Sequence, residues 1–373
     1  MALAGEVKIL VINGGSSSFK CWYGEMPGDH LLWSKQLGAE SELEPALKSL
    51  LAEHPRIDVV GHRIVHGGPI YRESTPLTPE VREAIAQEVE FAPAHNRFEL
   101  EAVRTVDRVI GANVLQIAVF DTGFHSTLKP AAYVYPGPYS WLEEGVRRYG
   151  FHGINHQYCA GRAAELLGRD PASLKLIICH LGNGASLAAV KSGKSVDTTM
   201  GFTPLEGLMM GTRSGSIDPG ILVYLIRHRG YTAEQLDQIL NKESGLLGVS
   251  GISGDMRNIE AGIAASNARA QLAFDVYIHR LLREIGGMLT VLGGVDALIF
   301  TAGVGENSPP VRERACERLA FLGLKIDSSQ NAHPKLDQDI ATADSKVRVL
   351  VIRANEEFQI AKECYRTATA RER

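Results

Sequence analysis

The stretch 8–22, KILVINGGSSSFKCW, recurs in outline at 175–190, KLIICHLGNGASLAAV. Each reads as an apolar strand, a turn of Gly, Asn and Ser, and a second strand, so one supersecondary unit opens two halves of the chain. A hairpin turn of glycines and small hydroxyl residues brings backbone N–H groups close to a ligand and forms a concavity suited to phosphate oxygens. Two such hairpins facing one cleft would grip the two ends of a polyphosphate; the plainer alternative is a pair of ordinary hairpin turns. Around them, short β-branched runs at 7–12, 59–65, 114–120, 174–179, 297–301 and 347–352 read as buried strands. Helical patterns lie between them at 79–89, 99–110, 156–167, 219–229, 261–292 and 356–367. The class is α/β. Thr78 before Pro79 and Asp218 before Pro219 place a capping side chain ahead of a proline at the first helical position.

With 373 residues and about 150 per domain, the chain suits two domains with a cleft. Its 39 Lys and Arg against 43 Asp and Glu give a net charge of -4. This lacks the concentrated basic face that nucleic-acid binding needs. Cys21, Cys159, Cys179, Cys316 and Cys364 contain no CxxC pair, which argues against a disulfide framework or zinc ribbon and fits a reducing cytoplasm. No run of eighteen apolar residues occurs, so no membrane span is expected. Glycine, 38 of 373, about 10% against a usual 7% or so, is concentrated in a few loops.

Neither GxxxxGK[ST] nor a completed GxGxxG is present, and there is no HRD and DFG pair. Any ATP site must be built another way. Seven of the twelve histidines, His62, His66, His95, His125, His152, His156 and His180, cluster between 62 and 180. The i, i+4 pair His152 and His156 lacks the Glu of HExxH, so hydrogen bonding or catalysis is preferred to zinc. Arg63 in the strand-to-loop segment VGHRIVHGG and Arg213 in MGTRSG are flanked by glycines, where an arginine is aimed at a ligand more often than on a helix face; a solvated surface position is the alternative for each. Asp121 ends an apolar strand, at the edge where open α/β sheets place ligands. An Asx turn or helix cap is its alternative.

Together NGGSSSFK at 13–20, FDTGFH at 120–125, RYGFHG at 148–153, HLGNGAS at 180–186 and DTTMGFTPLEGLMMGTRSG at 197–215 resemble the acetate kinase family. SGISGDMR at 250–257, TAGVGENS at 301–308 and ANEE at 354–357 continue the match in order. The resemblance implies two duplicated ribonuclease H-like domains of the actin-like ATPase type with an interdomain cleft, as in sugar kinases, actin and Hsp70. The domains would span 1–150 and 151–355, with a helix near 356–373 packing back on the first. It implies reversible transfer of the ATP γ-phosphoryl group to acetate, giving acetyl phosphate and ADP, with Mg²⁺ or Mn²⁺. It also implies a cytoplasmic homodimer serving acetyl-CoA biosynthesis.

Residue by residue, the resemblance assigns Asn13 and Glu356 to magnesium, Lys20 to the nucleotide, and His180, Leu181, Gly182, Asn183 and Gly184 to phosphates. Asp255, Met256, Arg257, Gly303, Val304, Gly305, Glu306 and Asn307 go to adenosine. Arg63 would bind the carboxylate, His152 and Arg213 would stabilise the transition state, and Asp121 would donate or accept a proton. An ionised carboxylate needs no general base at neutral pH, so Asp121 is expected instead to orient Arg63 or metal-bound water. Val65, Ala94, Phe151 and Pro204 would line the acyl pocket. Ala94 stands where the family often has Leu, which predicts room for propionate beside acetate. Arg97 and Ser216 are further departures. The rival readings are a propionate or butyrate kinase, a non-catalytic actin-like ATP-binding protein, and a purely structural role for these side chains.

Overall fold

The computed structural model describes residues 6–15, 18–28, 30–87, 93–335 and 337–370, without the side chains of residues 40 and 93–97. Twelve strands are formed among the described residues: β1 (Val7–Gly14), β2 (Phe19–Met26), β3 (His30–Leu37), β4 (Val59–Ile64), β5 (Thr75–Pro76), β6 (Leu115–Phe120), β7 (Lys175–Leu181), β8 (Ala185–Lys191), β9 (Lys194–Thr198), β10 (Ala297–Thr301), β11 (Gln338–Asp339) and β12 (Arg348–Val351). They make two six-stranded sheets, ordered β3-β2-β1-β4-β6-β5 and β9-β8-β7-β10-β12-β11. In both, an antiparallel meander of three strands is followed by two parallel strands and a two-residue antiparallel edge. The two sheets therefore have the same strand order and the same strand directions. This is the duplicated actin-like ATPase architecture, and the six apolar runs read from the sequence are its six parallel strands.

The chain divides into two compact units, one of residues 1–126, 152–158 and 355–373, the other of 127–151 and 159–354. In the first unit β1 is buried almost throughout, because helices cover both faces of its sheet. Val7, Ile9 and Val11 pack with Phe358, Ile360, Ala361 and Cys364 of the helix Glu356–Ala370. On the opposite face, Leu10 and Ile12 meet Leu43, Leu47 and Leu50 of Leu43–Glu53, and Ala102 and Val106 of Pro93–Val109. Burying Phe358 and Ile360 is worth about 1.5–3 kcal/mol each. Gly61 on β4 permits this packing, since a Cβ there would stand 2.5 Å from Cys364 Sγ.

In the second unit the helix Ala268–Leu292 lies along β7, β8 and β9. The single helix expected over 261–292 is two, Met256–Ala264 and Ala268–Leu292. The break has a local cause: Ser266 adopts φ 59°, and Asn267 Oδ1 accepts from the Arg269 and Ala270 N–H groups, starting a new helix. The two caps read from the sequence are formed, Thr78 Oγ1 accepting from Val81 N–H and Asp218 Oδ1 from Gly220 N–H. All five cysteines are buried and none is in a disulfide, and no described helix is long and apolar enough to cross a membrane.

Candidate active site

At the carboxyl edge of the first sheet, β4 and β6 run parallel and carry Arg63 and Asp121 to adjacent positions. Arg63 Nη2 donates to Asp121 Oδ2 at 2.9 Å and Nη1 donates to the Gly14 carbonyl at 3.0 Å, next to the first hairpin turn. Its side chain is 13% exposed and that of Asp121 1%. Burial disfavours the Arg63 cation, but Asp121, Glu356 and Glu99 outweigh it and hold its pKa above the ordinary arginine value. Arginine fits this role because its planar fork can serve protein and ligand oxygens together.

Asp121 also arranges the chain beyond it. The same Oδ2 accepts from the His152 N–H at 2.9 Å, and the Asp121 carbonyl accepts from the Gly153 N–H at 2.8 Å. His152 is held at φ 58°, a left-handed conformation that costs a non-glycine residue energy and is kept only where its surroundings impose it. A Cβ at Gly153 would lie 2.3 Å from the Asp121 carbonyl oxygen, so this close approach requires glycine. Asp121 Oδ1 is buried and has no hydrogen-bond partner among the described residues. Such an atom marks a place where a ligand or water completes the set.

Asn13, at the end of β1, donates from its amide to Glu356 Oε2 at 3.0 Å and Glu357 Oε1 at 2.8 Å. The β1–β2 register sets Lys20, which is exposed, opposite Asn13. Glu356 and Glu357 begin the helix Glu356–Ala370, whose N-terminal dipole favours negative charge. An amide oxygen and carboxylates form a hard, oxygen-only donor set. That suits Mg²⁺, which is commonly bound by one or two carboxylates with waters and phosphates completing its shell. Among the described residues no group of three His, Cys, Asp or Glu could hold a metal. Two histidines of the cluster make other contacts: His62 Nε2 shares a hydrogen bond with Gln116 Oε1, and His66 Nδ1 accepts from the Gly68 N–H. Burial pushes both imidazoles down to about 4.

The second unit contains a cavity of about 730 Å³. Gly182, Asn183, Asp255, Met256, Arg257, Gly303, Val304 and Asn307 all line it, bringing together three segments singled out from the sequence. Gly211 and Gly254 pack backbone to backbone beside Asn183, where a Cβ on Gly211 would be 2.2 Å from Asn183 Oδ1. His180, Leu181, Gly184, Gly305 and Glu306 do not line the cavity. Glu306 instead accepts from the Ala302 and Ala354 N–H groups, and buried Arg312 donates to the Gly305 and Glu306 carbonyls. These contacts fix the 302–307 segment from below.

Arg213 and Pro204, also in this unit, touch: Arg213 Nη1 donates to the Pro204 carbonyl at 3.2 Å, and burial lowers the guanidinium pKa. The surrounding loop is tied to the segment at 133–151. Arg148 donates to the Thr199 and Met200 carbonyls and to Glu206, Tyr135 bonds Glu206, and Ser216 Oγ accepts from the Gly207 N–H. Val65 and Phe151 are buried, each in its own unit. The expectations for Ala94 and Arg97 concern side chains outside the described residues.

The profile of the Acetokinase family matches residues 40–362. The chain belongs to the acetokinase family. An acetate kinase of Gloeobacter violaceus is 53% identical over 400 aligned positions, covering 96% of this chain and 99% of that protein. One from Nostoc punctiforme is 51% identical, with 96% and 99% covered. Among solved structures, the Porphyromonas gingivalis acetate kinase matches with TM-score 0.90 and 38% identity, covering 97% of this chain and 100% of that one. A propionate kinase from Francisella tularensis matches with TM-score 0.88 and 34% identity, covering 96% and 99%. Membership of the acetokinase family makes the chain a phosphotransferase with a carboxyl group as acceptor.

Two side chains in this acetokinase site were not singled out from the sequence. Glu357 shares the Asn13 amide with Glu356, and its place in ANEE was the available signal. Glu99 is buried, accepts from the Val65 N–H with both oxygens at 3.2 and 3.1 Å, and stands 4.0 Å from Arg63 Nη1. Burial, opposed by Arg63 and the Val65 N–H and reinforced by Asp121, pushes its pKa up to about 8. Nothing in the amphipathic pattern of its helix marks Glu99 as different from the exposed glutamates.

Proposed function

We propose that the chain transfers the γ-phosphoryl group of ATP reversibly to acetate by direct in-line displacement, giving acetyl phosphate and ADP. Arg63 binds the acceptor carboxylate, and the cavity of the second unit binds the nucleotide. The observation that carries the acceptor half is the buried Arg63–Asp121 pair at the sheet edge, with Asp121 also gripping the backbone of His152. Phosphoryl transfer asks a protein mainly for positioning and charge stabilisation. His152 and Arg213 supply positive charge toward the equatorial oxygens of the migrating group. Val65, Phe151, Pro204 and Ala94 enclose the acyl chain.

Acetate is already ionised at neutral pH and attacks without a base. Asp121 is then a positioning residue, with Oδ2 committed to Arg63 and His152 and Oδ1 left for a ligand or water. Mg²⁺, held by Asn13 and Glu356, would offset phosphate charge when bound. Lys20 and the second hairpin, His180 to Gly184, complete the phosphate contacts, and Asp255 to Arg257 with Gly303 to Asn307 hold adenosine. Gly305 and Glu306 contribute by shaping their loop. The protein works as a homodimer in the cytoplasm, and the smaller Ala94 side chain admits propionate.

Hydroxylamine trapping of acyl phosphate formed from ATP, Mg²⁺ and a panel of acetate, propionate and butyrate tests the proposal. Acetyl hydroxamate is expected, with propionyl hydroxamate at a comparable rate. Absence of any hydroxamate defeats the transfer reading, and a strong preference for acetate defeats the widened pocket.

A further inference from the structure

We propose that Glu99 is a positioning residue for the acceptor end of the reaction, its buried carboxyl group anchoring Val65 and backing Arg63 so that both present a fixed surface to the carboxylate. The inference rests on Arg63 and Val65 being acceptor-binding residues. β4 ends at Ile64, so the Val65 N–H has left the sheet ladder and needs another acceptor. Both Glu99 oxygens provide it, at 3.2 and 3.1 Å. The same carboxyl stands 4.0 Å from Arg63 Nη1, while Arg63 donates to Asp121 and Gly14. A Cβ on Gly14 would be 3.7 Å from Glu99 Cγ, so Glu99 also lies against the end of β1, whose Gly14 carbonyl accepts from Arg63. One side chain from the helix Pro93–Val109 thereby touches the ends of β1 and β4 together.

The charge balance explains why a carboxyl there is tolerated. Arg63 and the Val65 N–H favour its ionisation, while burial and Asp121 oppose it more strongly. Held mostly protonated at neutral pH, Glu99 braces Arg63 without competing with an incoming carboxylate. When it ionises at alkaline pH, a second anion faces the guanidinium beside Asp121, and acceptor affinity falls.

The test compares steady-state kinetics of the full-length wild type, Glu99→Ala, Glu99→Gln and Arg63→Ala with acetate and ATP varied separately. Glu99→Ala strands the Val65 N–H and is expected to raise KM for acetate about tenfold, with KM for ATP unchanged. Glu99→Gln keeps an acceptor for Val65 and is expected to hold acetate KM within about threefold of wild type at pH 7, as a single preserved neutral hydrogen bond allows. Across pH 6 to 9.5, with ranges chosen around the value of about 8, wild-type acetate KM should climb on the alkaline side and that of Glu99→Gln should not.

Equal changes in both KM values, or an unchanged acetate KM in Glu99→Ala, would overturn the proposal and leave Glu99 a structural residue. If Glu99→Ala does not fold, the pH series of wild type against Glu99→Gln decides, and parallel curves overturn it. An Arg63→Ala variant with normal acetate KM removes the acceptor reading itself, and the proposal with it.

Discussion

Replacing Asp121 by Asn probes the acceptor site most directly, because it removes a charge while leaving the shape almost intact. The amide oxygen can occupy the Oδ2 position and still accept from Arg63 Nη2 and the His152 N–H, both at 2.9 Å in the native protein. Each bond changes from charge-assisted to neutral, a loss of about 1 kcal/mol apiece. The NH₂ then occupies the buried Oδ1 position, which offers it no acceptor among the described residues, at a further cost of about 1–3 kcal/mol. The sum, about 3–5 kcal/mol, matches the usual result of removing one member of a buried ion pair. Guanidinium unfolding should show this loss. The kinetic counterpart is a guanidinium no longer locked in place. A loss of about 3–4 kcal/mol in the transition state corresponds to a fall in kcat/KM for acetate of roughly 10²–10³. Turnover should fall and the dependence on Mg²⁺ should weaken. Stability within about 0.5 kcal/mol of wild type, the range of an ordinary surface substitution, together with near-normal kinetics, would refute the argument. An unchanged magnesium requirement would remove Oδ1 from any role near metal-bound water.

Gly153→Ala places a methyl 2.3 Å from the Asp121 carbonyl oxygen and should cost about 1–3 kcal/mol in thermal unfolding while lowering turnover through His152. The Glu99 carboxyl, at about 8 in the folded protein against 4.5 unfolded, is protonated more readily in the native state. Its contribution is therefore fully favourable below pH 4.5 and is lost as pH rises toward 8. Relative to Glu99→Gln, the wild type should lose about 3 kcal/mol between pH 4 and 7 and about 5 kcal/mol above pH 8, read from denaturation at several pH values; equal slopes would show that Glu99 is not desolvated. Glu356→Gln should raise the Mg²⁺ concentration needed for half-maximal activity at least about tenfold, measured by metal titration, with acetate KM little changed. Tyr277, whose buried hydroxyl lacks a partner among the described residues, should lose nothing or gain up to about 1 kcal/mol as Phe; a clear loss in thermal melts would reveal a partner for that hydroxyl.

The parts of the fold legible in the sequence were those that sheet burial imposes on composition. β1, β4, β6, β7, β10 and β12 are covered on both sides, so they appear as continuous apolar runs. The edge strands do not: β3, HLLWSKQL, is largely exposed, and β5 and β11 are two residues long. The break between the helices Met256–Ala264 and Ala268–Leu292 was hidden because apolar periodicity continues through it. Asn267 was the available signal. At the site, Arg63 near the end of β4, Asp121 just past the end of β6 and Arg213 in its loop stood out because their neighbours are glycines or a strand end. Glu99 did not, since burial of a helical glutamate is decided by the strands that pack against it, far along the chain.

The helix Glu356–Ala370 carries a consequence for biosynthesis. Asn13 and its partner Glu356 are 343 positions apart, and the face of β1 bearing Val7, Ile9 and Val11 is covered by side chains from that same distant helix. During translation the first sheet is complete long before its lid exists, leaving a greasy surface to be shielded from aggregation until the helix emerges. Maturation of the first unit is thus gated by completion of the second unit's chain at the ribosome, and variants that loosen this helix should fail first as a deficit in yield from the cell.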